Sequence, residues 1–254
     1  MAHDLPGLYT DLSDWYLLLT APEDYEEEAA FYLKLMTETL AHTPRSLLEL
    51  GAGSGNNAWH YKSAVADVTL TDLAPRMLAL SEAQNPECEH VVGDMRSLRL
   101  GREYEAVFVH DAISYLTTES DLGQAIETAF VHCQTGGAAL FAPDAVRENY
   151  RDETEHGGHD GVDGRSLRYL QWTFDPDPAD STYVTEFAYI MHQSFQPSRV
   201  AHEQHVTGLF AEADWLRLMS DVGFSACAVP FQHSEVERPL VVFVGRKGDV
   251  SQTS

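Results

Sequence analysis

The chain has 254 residues, 44% of them hydrophobic, which suits one large soluble domain. Its 40 acidic residues outnumber 16 lysines and arginines, and the formal charge of -24 argues against a nucleic-acid partner because it repels a phosphate backbone. The three cysteines, Cys88, Cys133 and Cys227, are far apart, which excludes a disulfide framework and favours a reducing compartment. The N-terminus lacks a signal-peptide pattern and no apolar run reaches membrane length, so we expect a cytoplasmic protein without a membrane partner.

The first half of the chain alternates between short apolar strands and helices. An aromatic leader with Tyr9, Trp15 and Tyr16 precedes a helix that is predicted from Pro22 to about residue 41. The predicted strands are 46–50, 68–71, 89–92, 105–110 and 138–142, and the predicted helices are 75–84, 119–133 and one from about 56. This alternation predicts an α/β fold with a doubly wound, mostly parallel sheet, which binds ligands beyond the carboxyl ends of its strands.

The second half is rich in β-structure. Segments 166–174, 182–195 and 199–210 are separated by turn residues and predict an antiparallel meander, inserted at 144–210 after the fifth strand. A helix 212–222 closed by Gly223 leads to strands 225–231 and 239–244, which we expect to finish a seven-stranded sheet as a hairpin. The whole chain, 1–254, is thus predicted to be one domain with a β-rich insertion.

The first strand runs directly into a glycine loop. Glycines at a strand-to-helix turn let the backbone pass beneath a ligand without Cβ clashes. A dinucleotide fingerprint would place its third glycine at position 56, but Asn56 stands there and the glycine is Gly55. The spacing therefore disfavours a phosphate cradle for a nicotinamide nucleotide. The segment reads Leu47-Leu48-Glu49-Leu50-Gly51-Ala52-Gly53-Ser54-Gly55.

Polar residues also end the next three strands. Asp72 stands where a carboxylate can accept hydrogen bonds from both ribose hydroxyls, or alternatively cap the helix that starts at Pro75. The third strand ends in Gly93-Asp94-Met95, which is either a ligand contact or a plain turn. The fourth ends in Val109-His110-Asp111. We expect these ends to meet at one edge of the sheet.

Together these features resemble the class I S-adenosylmethionine-dependent methyltransferases over residues 8–143, and residues 212–244 look like the final helix and hairpin of that Rossmann-like fold. The resemblance implies that the glycine loop passes under the methionine portion of the cofactor, that Asp94 accepts from the adenine amino group and that Met95 packs on the ring. S-adenosylhomocysteine would be the product. The implied cofactor-binding residues are Tyr16, Tyr25, Glu49, Gly51, Gly53, Gly55, Asn56, Asp72, Leu73, Met77, Asp94, Met95 and His110.

Within that superfamily the chain is most similar to deoxyaminosugar N-methyltransferases. The shared patterns are Trp15-Tyr16-Leu17-Leu18, Asp24-Tyr25-Glu26, Gly93-Asp94-Met95-Arg96 and His202-Glu203-Gln204-His205. This resemblance implies a β-rich insertion, a homodimer and leader tyrosines that reach over the cofactor, although Tyr16 and Tyr25 could instead pack on the core. The chain departs from those enzymes at one position, because Tyr115 stands where they have a histidine after the fourth strand. The identity of the methyl acceptor therefore stays open.

Methyl transfer requires an acceptor held in line and, where the nucleophile carries a proton, a group that removes it. His110 is the first candidate base, with lining of the cofactor pocket as its alternative role. Asp111 could bind an acceptor amine, orient His110 or cap a helix, and Tyr115 is the third catalytic candidate. The predicted reaction is methyl transfer to nitrogen or oxygen of a small molecule, without a metal.

Two other groups of residues have open interpretations. The segment 156–164 combines histidines and aspartates with glycines, and could be a lid over the substrate, a metal site or a surface loop. Arg147, Arg151, Arg165 and Arg168 could bind an anionic acceptor or pair with surface acids. His202 and His205 should face opposite sides of a strand, which disfavours a joint metal site.

Two rival functions remain at this stage. A nucleotide-binding oxidoreductase would share the fold class, but the glycine spacing disfavours it. A protein that binds S-adenosylmethionine without turnover would keep the same pocket, since fold does not fix function.

Overall fold

A computed structural model of the chain describes residues 5–234 and 236–248; the remaining ends of the predicted 1–254 domain, and residue 235, lie outside the described residues. The larger sheet has seven strands in the order β10-β11-β5-β4-β1-β2-β3. Its strands are β1 Ser46–Leu50, β2 Asp67–Asp72, β3 Glu89–Val92, β4 Tyr104–Val109, β5 Cys133–Phe141, β10 Phe224–Phe231 and β11 Leu240–Lys247.

Strand β1 lies at the centre of this sheet and pairs in parallel with β2 on one side and β4 on the other. The outer pairs β2–β3 and β4–β5 are also parallel, whereas β11 runs antiparallel to both β5 and β10. The chain therefore reverses its direction of winding beside β1. In doubly wound sheets that point opens a crevice beyond the carboxyl ends of the strands.

Helices cover both faces of the sheet. They are α1 Tyr16–Leu19, α2 Glu26–Leu40, α3 Asn56–Tyr61, α4 Pro75–Gln84, α5 Glu119–His132 and α6 Glu212–Val222. Alternate side chains of β1 point to opposite faces of the sheet. Leu47 belongs to the same hydrophobic core as Tyr32, and Leu48 to the core that contains Ile126. Both leucines are fully buried, so β1 is fixed in register and holds its carboxyl end in place.

A second, four-stranded antiparallel sheet follows β5, in the order β6-β7-β8-β9. Its strands are β6 Glu153–Gly157, β7 Arg165–Phe174, β8 Thr182–Gln193 and β9 Arg199–Gly208. One face of this sheet packs on the leader, where Leu8 and Leu12 are buried against Leu167 and Tyr189. The insertion thereby holds the leader, and its tyrosines, over the edge of the larger sheet.

The predicted architecture is confirmed, with three corrections at the level of elements. Strand β6 was missed, because Glu153–Gly157 carries no apolar alternation and pairs only at the edge of its sheet. Strand β5 begins at Cys133 rather than 138, since its first residues pair with β4 around a bulge. The helix predicted from Pro22 starts as a 3₁₀ turn before α2. Among the described residues, no helix is long and apolar enough to cross a membrane.

Candidate functional site

A cavity of about 470 Å³ lies at the carboxyl ends of β1 to β4. The glycine loop, the end of β2, the turn after β3 and the leader all contribute to its wall. The predicted carboxylates therefore share one hollow. The predicted residues on the wall are Tyr16, Tyr25, Glu49, Gly51, Gly53, Asn56, Asp72, Leu73, Met77, Asp94, Met95, His110, Asp111 and Tyr115.

Two glycines of the loop adopt left-handed backbone conformations for different reasons. Gly51 has φ +73°, and a Cβ there would lie 2.4 Å from Cβ of Ala112. Gly53 has φ +55°, and its added Cβ would meet only the Met77 side chain, at 3.8 Å. Gly51 is thus required by packing, whereas Gly53 leaves open space beside the cavity, which is where a bound molecule would approach the backbone.

Gly55 is the exception among the predicted residues, because it packs away from the cavity. It has φ +74° and caps the start of α3, and a Cβ there would lie 2.4 Å from side-chain atoms of both Ser81 and Asn85. Unlike the other predicted residues it does not line the cavity, and this glycine is needed for the close approach of α3 to α4.

The carboxylate of Asp72 connects two segments of the cavity wall. One oxygen accepts from Gly53 N at 2.8 Å and the other from Ala74 N at 2.7 Å. The second bond is the capping role that the sequence left open, yet the side chain also lines the cavity. Burial raises the pKa of Asp72, although the backbone donors oppose the shift.

Asp94 is held by its neighbour Arg96. The Arg96 guanidinium donates to both carboxylate oxygens of Asp94, at 2.6 Å from Nη2 to Oδ2, and also reaches Asp121 at 3.3 Å. Met95 and all three of these charged residues line the cavity. The turn after β3 is therefore an ion-paired turn whose acid is fixed in orientation at the wall.

Glu49 is 2% exposed at the end of β1 and accepts a hydrogen bond from Tyr61 Oη. Burial raises the pKa of Glu49 to about 7, against a lowering by the Tyr61 hydroxyl. A carboxyl group with this pKa is partly protonated near neutral pH, so Glu49 can donate as well as accept at the cavity.

A second cavity of about 390 Å³ adjoins the first and is bounded by the insertion sheet. Several of its wall residues carry carboxylates: Glu28, Asp111, Asp144, Glu153 and Glu155. The residues that line both cavities are Tyr9, His110, Asp111, Tyr115 and His205. These five mark the junction where a molecule in one cavity meets a molecule in the other.

His110 lies at this junction between two acids. Its Nε2 is 2.9 Å from Asp111 Oδ1 and 3.4 Å from Glu28 Oε1, while Nδ1 faces the Asn57 side-chain amide at 3.3 Å. Burial lowers the pKa of His110, but the two carboxylates raise it by more, so the net pKa lies well above the ordinary value. His110 holds its proton near neutral pH, and the expectation that it acts as a base is not supported by this geometry.

Asp144 lies beside this pair, on the segment that follows β5. Its backbone N–H donates to Ser114 Oγ at 3.1 Å, and its side chain lines the second cavity. Burial and the neighbouring Asp111 raise the pKa of Asp144 well above its usual range. The carboxyl groups of Asp111 and Asp144 therefore lie close together at the junction.

Tyr115, placed by the 3₁₀ turn Asp111–Tyr115, is part of a hydrogen-bonded series that the sequence did not reveal. Its hydroxyl lies 2.7 Å from Tyr9 Oη and 2.7 Å from His205 Nδ1. His205 Nε2 is 3.3 Å from Glu203 Oε2. The leader aromatics and the segment 202–205 were visible as motifs, but their convergence on Tyr115 depends on how the insertion folds.

The segment 156–164 packs on the leader. His159 N donates to Leu18 O at 2.9 Å, and His159 Nε2 is 3.0 Å from Asp24 Oδ2. The metal alternative gains no support, because the described residues include no group of three potential ligands close enough to hold an ion. The segment supports the leader from outside.

The four arginines in or beside the insertion have surface partners. Arg165 pairs with Asp163 and Arg168 with Asp160. Arg151 pairs with Glu237, and Arg147 donates to the backbone oxygens of 178 and 180. Their arrangement supports surface pairing rather than an anion site. His202, as expected, faces away from His205 and is exposed beside Glu186.

A search against protein-family models matches residues 47–137 to a methyltransferase domain. This stretch runs from β1 into β5 and includes the glycine loop, Asp72, Asp94 and His110. Residues 47–137, less than half of the chain, are thus similar to a methyltransferase domain. The predicted resemblance to S-adenosylmethionine-dependent methyltransferases is thereby confirmed, and the match is to a different class from the oxidoreductase alternative.

Two curated relatives are named as N,N-dimethyltransferases of amino sugars. The chain is 30% identical over 133 residues to dTDP-3-amino-3,4,6-trideoxy-alpha-D-glucopyranose N,N-dimethyltransferase of Streptomyces venezuelae, covering 51% of this chain and 55% of that protein. It is also 30% identical over 131 residues to dTDP-3-amino-3,6-dideoxy-alpha-D-glucopyranose N,N-dimethyltransferase of Streptomyces fradiae, covering 50% of each. The alignments span about half the length of these two relatives.

Solved structures extend the likeness over the whole fold. The Streptomyces venezuelae protein DesVI superposes with a TM-score of 0.81 at 23% identity, covering 94% of this chain and 99% of that one. The sugar N-methyltransferase KedS8 from a Streptoalloteichus species superposes with a TM-score of 0.82 at 22% identity, covering 98% and 96%. At these identities the structures confirm the Rossmann-like methyltransferase fold of this chain.

Proposed function

We propose that this protein transfers the methyl group of S-adenosylmethionine to an amine nitrogen of a small molecule. The observation that carries the proposal is the junction of two cavities: one lined by the glycine loop, Glu49, Asp72 and Asp94, the other lined by acids. The curated relatives named above are N,N-dimethyltransferases of nucleotide-linked amino sugars, which supports nitrogen as the accepting atom.

The residues present fit the cofactor. Gly53 leaves room for a ligand next to the backbone, and Asp72 retains acceptor capacity for ribose hydroxyls because each carboxylate oxygen has a second lone pair. Asp94, fixed by Arg96, and Met95 both line this cavity, which supports the proposed roles of accepting from the adenine amino group and packing on the ring. Tyr16 and Tyr25 line the cavity from the leader side. When bound, S-adenosylmethionine supplies a methyl carbon that is displaced in line.

The second cavity suits a cationic acceptor. The Asp111 carboxylate lies at the junction and lines both cavities, with His110 Nε2 2.9 Å from its Oδ1 and Asp144 beside it. An ammonium group is stabilised next to such a carboxylate, which would draw an amine to the point where the two cavities meet. A hydroxyl acceptor would gain less from that charge. An amino-sugar acceptor, as in the relatives, is the class we place first.

The direct test is a methylation assay with labelled S-adenosylmethionine and a panel of amines, with dTDP-linked 3-amino sugars, free amino sugars and simple alkylamines as separate arms. We expect the label to appear on nitrogen of an amino sugar, with a product mass increased by one or two methyl groups. Asp111→Asn should lower the rate, whereas Asp14→Asn, in the leader turn Ser13–Trp15, serves as the control. Methylation of hydroxyl analogues alone would contradict the choice of nitrogen.

We also propose that the protein forms a homodimer. The outer face of the insertion sheet exposes apolar side chains, which suits contact with a second copy of the chain. The exposed residues are Leu170, Trp172, Ile190, Val200 and Val206. Sedimentation of the wild type and of a Trp172→Asp variant tests the dimer.

The charge of -24 and the three free cysteines support the predictions of no nucleic-acid partner and of a cytoplasmic location.

A further inference from the structure

Four side chains at the junction form one continuous series of hydrogen bonds. Tyr9 comes from the leader, Tyr115 from the turn after β4, and His205 and Glu203 from β9 of the insertion. The successive distances are 2.7, 2.7 and 3.3 Å. His205 is only 5% exposed, so this contact is made inside the molecule, next to both cavities.

The Glu203 carboxylate at one end of the series fixes the direction of these hydrogen bonds. A carboxylate only accepts, and Glu203 Oε2 already accepts from Leu8 N at 3.3 Å, so the proton of a neutral His205 ring belongs on Nε2. Nδ1 is then free to accept from the Tyr115 hydroxyl. Tyr9 donates to Tyr115 in turn, which leaves Tyr115 Oη one lone pair for a group in the cavities.

An amine that accepts the methyl group needs a neighbouring residue that can take up a proton. An aliphatic amine is mostly protonated near neutral pH, as the ordinary lysine pKa of about 10.4 indicates, and an ammonium nitrogen has no lone pair. The other residues that line both cavities are engaged with each other or with the series: His110 Nε2 lies 2.9 Å from Asp111 Oδ1 and 3.4 Å from Glu28 Oε1, and the Tyr9 hydroxyl is bonded to that of Tyr115. Tyr115 and His205 are the remaining pair that lines both cavities.

We propose that Tyr115, His205 and Glu203 form a proton relay that deprotonates the acceptor ammonium. The N–H bond of the ammonium breaks as an O–H bond forms on Tyr115, whose own proton moves to Nδ1 of His205. The positive charge passes from the substrate to the imidazolium, which Glu203 stabilises. Tyr115 is the catalytic residue, and His205 and Glu203 position and support it. The proposal rests on the proposed function, since it requires an amine acceptor.

The protonation state of the Tyr115 phenol agrees with this proton transfer. Burial raises the pKa of Tyr115 well above its ordinary value, and the bond with Tyr9 opposes that shift only in part. A free tyrosinate is therefore disfavoured, and the hydroxyl must gain one proton as it loses the other. The charged and titratable groups that face His205 are Glu203 on its own strand, Tyr9 in the leader and Tyr115, with Phe187 of β8 packed against the ring.

The first test needs no acceptor. Nitrogen NMR of the imidazole rings, on the full chain with S-adenosylhomocysteine added at pH 7.5, reports which nitrogen of His205 is protonated. We expect the neutral ring with the proton on Nε2, and we expect Glu203→Gln to shift the population toward Nδ1–H. A wild-type ring that carries its proton on Nδ1, or that is doubly protonated, would overturn the relay.

The second test uses the amine found in the methylation assay. We expect His205→Gln to lower kcat by about 100-fold or more at pH 7, with the KM for the cofactor and the affinity for S-adenosylhomocysteine little changed. The loss should shrink as the pH approaches the pKa of the amine, because the substrate then arrives deprotonated. His202→Gln, on the opposite face of β9, is the matched control. An equal loss at every pH would indicate a structural role and contradict the relay.

Failure of the relay and failure of the proposed function give different results. If amines are methylated but the NMR tautomer or the pH profile is wrong, the relay alone is overturned. If His205 has the expected tautomer but hydroxyl compounds are methylated and amines are not, the proposed amine acceptor is overturned and the relay as written falls with it.

Discussion

At the scale of single residues, Asp72 determines much about the cofactor cavity. Its two oxygens accept backbone N–H groups from Gly53 and Ala74, so one carboxylate holds the glycine loop and the approach to α4 in a common position. The same side chain faces the cavity. Asp72 therefore both fixes the shape of the cavity wall and presents a carboxylate to the cavity.

We predict that Asp72→Asn lowers the affinity for S-adenosylhomocysteine by about 1 to 3 kcal/mol, the usual scale for losing a charged hydrogen-bond partner. The amide nitrogen of the variant would also face one of the backbone donors. Isothermal titration calorimetry measures the change. Asp67→Asn, at the exposed start of β2, should leave the affinity as it is; unchanged affinity in Asp72→Asn would show that the ribose is bound elsewhere.

Two glycine variants should separate packing from binding. Gly51→Ala places a Cβ 2.4 Å from Ala112, so we expect a clearly lowered melting temperature. Gly53→Ala meets only Met77 at 3.8 Å and carries mainly the backbone cost of about 1 to 2 kcal/mol, but its methyl group takes ligand space. Thermal unfolding with and without S-adenosylhomocysteine measures both. The reverse ranking, with Gly53→Ala unfolding first yet still binding, would contradict this assignment.

Glu49 predicts a defined pH dependence of stability. Its pKa rises from 4.5 to about 7 in the folded protein, so the folded state keeps a proton that the unfolded chain has lost. The associated stability is complete below pH 4.5 and is lost as the pH rises to about 7, amounting to at most about 3 kcal/mol. Relative to Glu49→Gln, the wild type should lose free energy of unfolding across this window in denaturant titrations. Glu38→Gln, on the exposed side of α2, is the control.

At the scale of elements, the cavity depends on two segments outside the parallel sheet. The leader supplies Tyr9 and Tyr16 to its wall, and the insertion sheet clamps the leader through Leu8 and Leu12. Neither segment belongs to the matched stretch 47–137. Under the proposed function, we expect acceptor specificity to lie in these elements and the cofactor to bind at the strand ends of the larger sheet.

A variant in this contact should loosen the leader. Leu12 is 4% exposed, and Leu12→Ala is expected to cost about 2 to 5 kcal/mol of local packing. Faster hydrogen exchange of residues 7–19 and weaker binding of S-adenosylhomocysteine should follow. Leu170→Ala, on the exposed face of the same insertion sheet, should change neither. Normal exchange in Leu12→Ala would show that the insertion does not hold the leader.

The sequence predicted several regular elements well, since β1 is an apolar run, α4 begins at a proline and α6 is closed by Gly223. It also predicted the residues at the strand ends, because parallel strands bring those ends together. Strand β6 was missed because edge pairing leaves no apolar pattern. The roles of Gly55 and His205 were missed because they depend on contacts between distant elements, which spacing in one chain does not encode.

At the scale of the whole molecule, charge is the dominant feature. The formal charge of -24 is spread over a chain of 28.3 kDa, and several acids converge on the second cavity. Self-repulsion of this size destabilises the compact state, and mobile ions screen it. The same field would favour the cationic acceptor proposed above.

We predict that the melting temperature rises with sodium chloride between about 0.01 and 0.3 M, as the Debye length falls from about 30 Å to below 8 Å. Differential scanning calorimetry measures this, with equal osmolarity of sucrose as the control for solvent exclusion. A melting temperature that stays constant or falls over this range would show that local ion pairs outweigh the long-range repulsion.

The most direct measurement of the central claim is a titration of the wild-type protein with S-adenosylhomocysteine and, separately, with NADH. We expect the protein to bind one S-adenosylhomocysteine per chain, with an affinity that Asp72→Asn reduces, and to show no saturable binding of NADH. Saturable binding of NADH together with no binding of S-adenosylhomocysteine would contradict it.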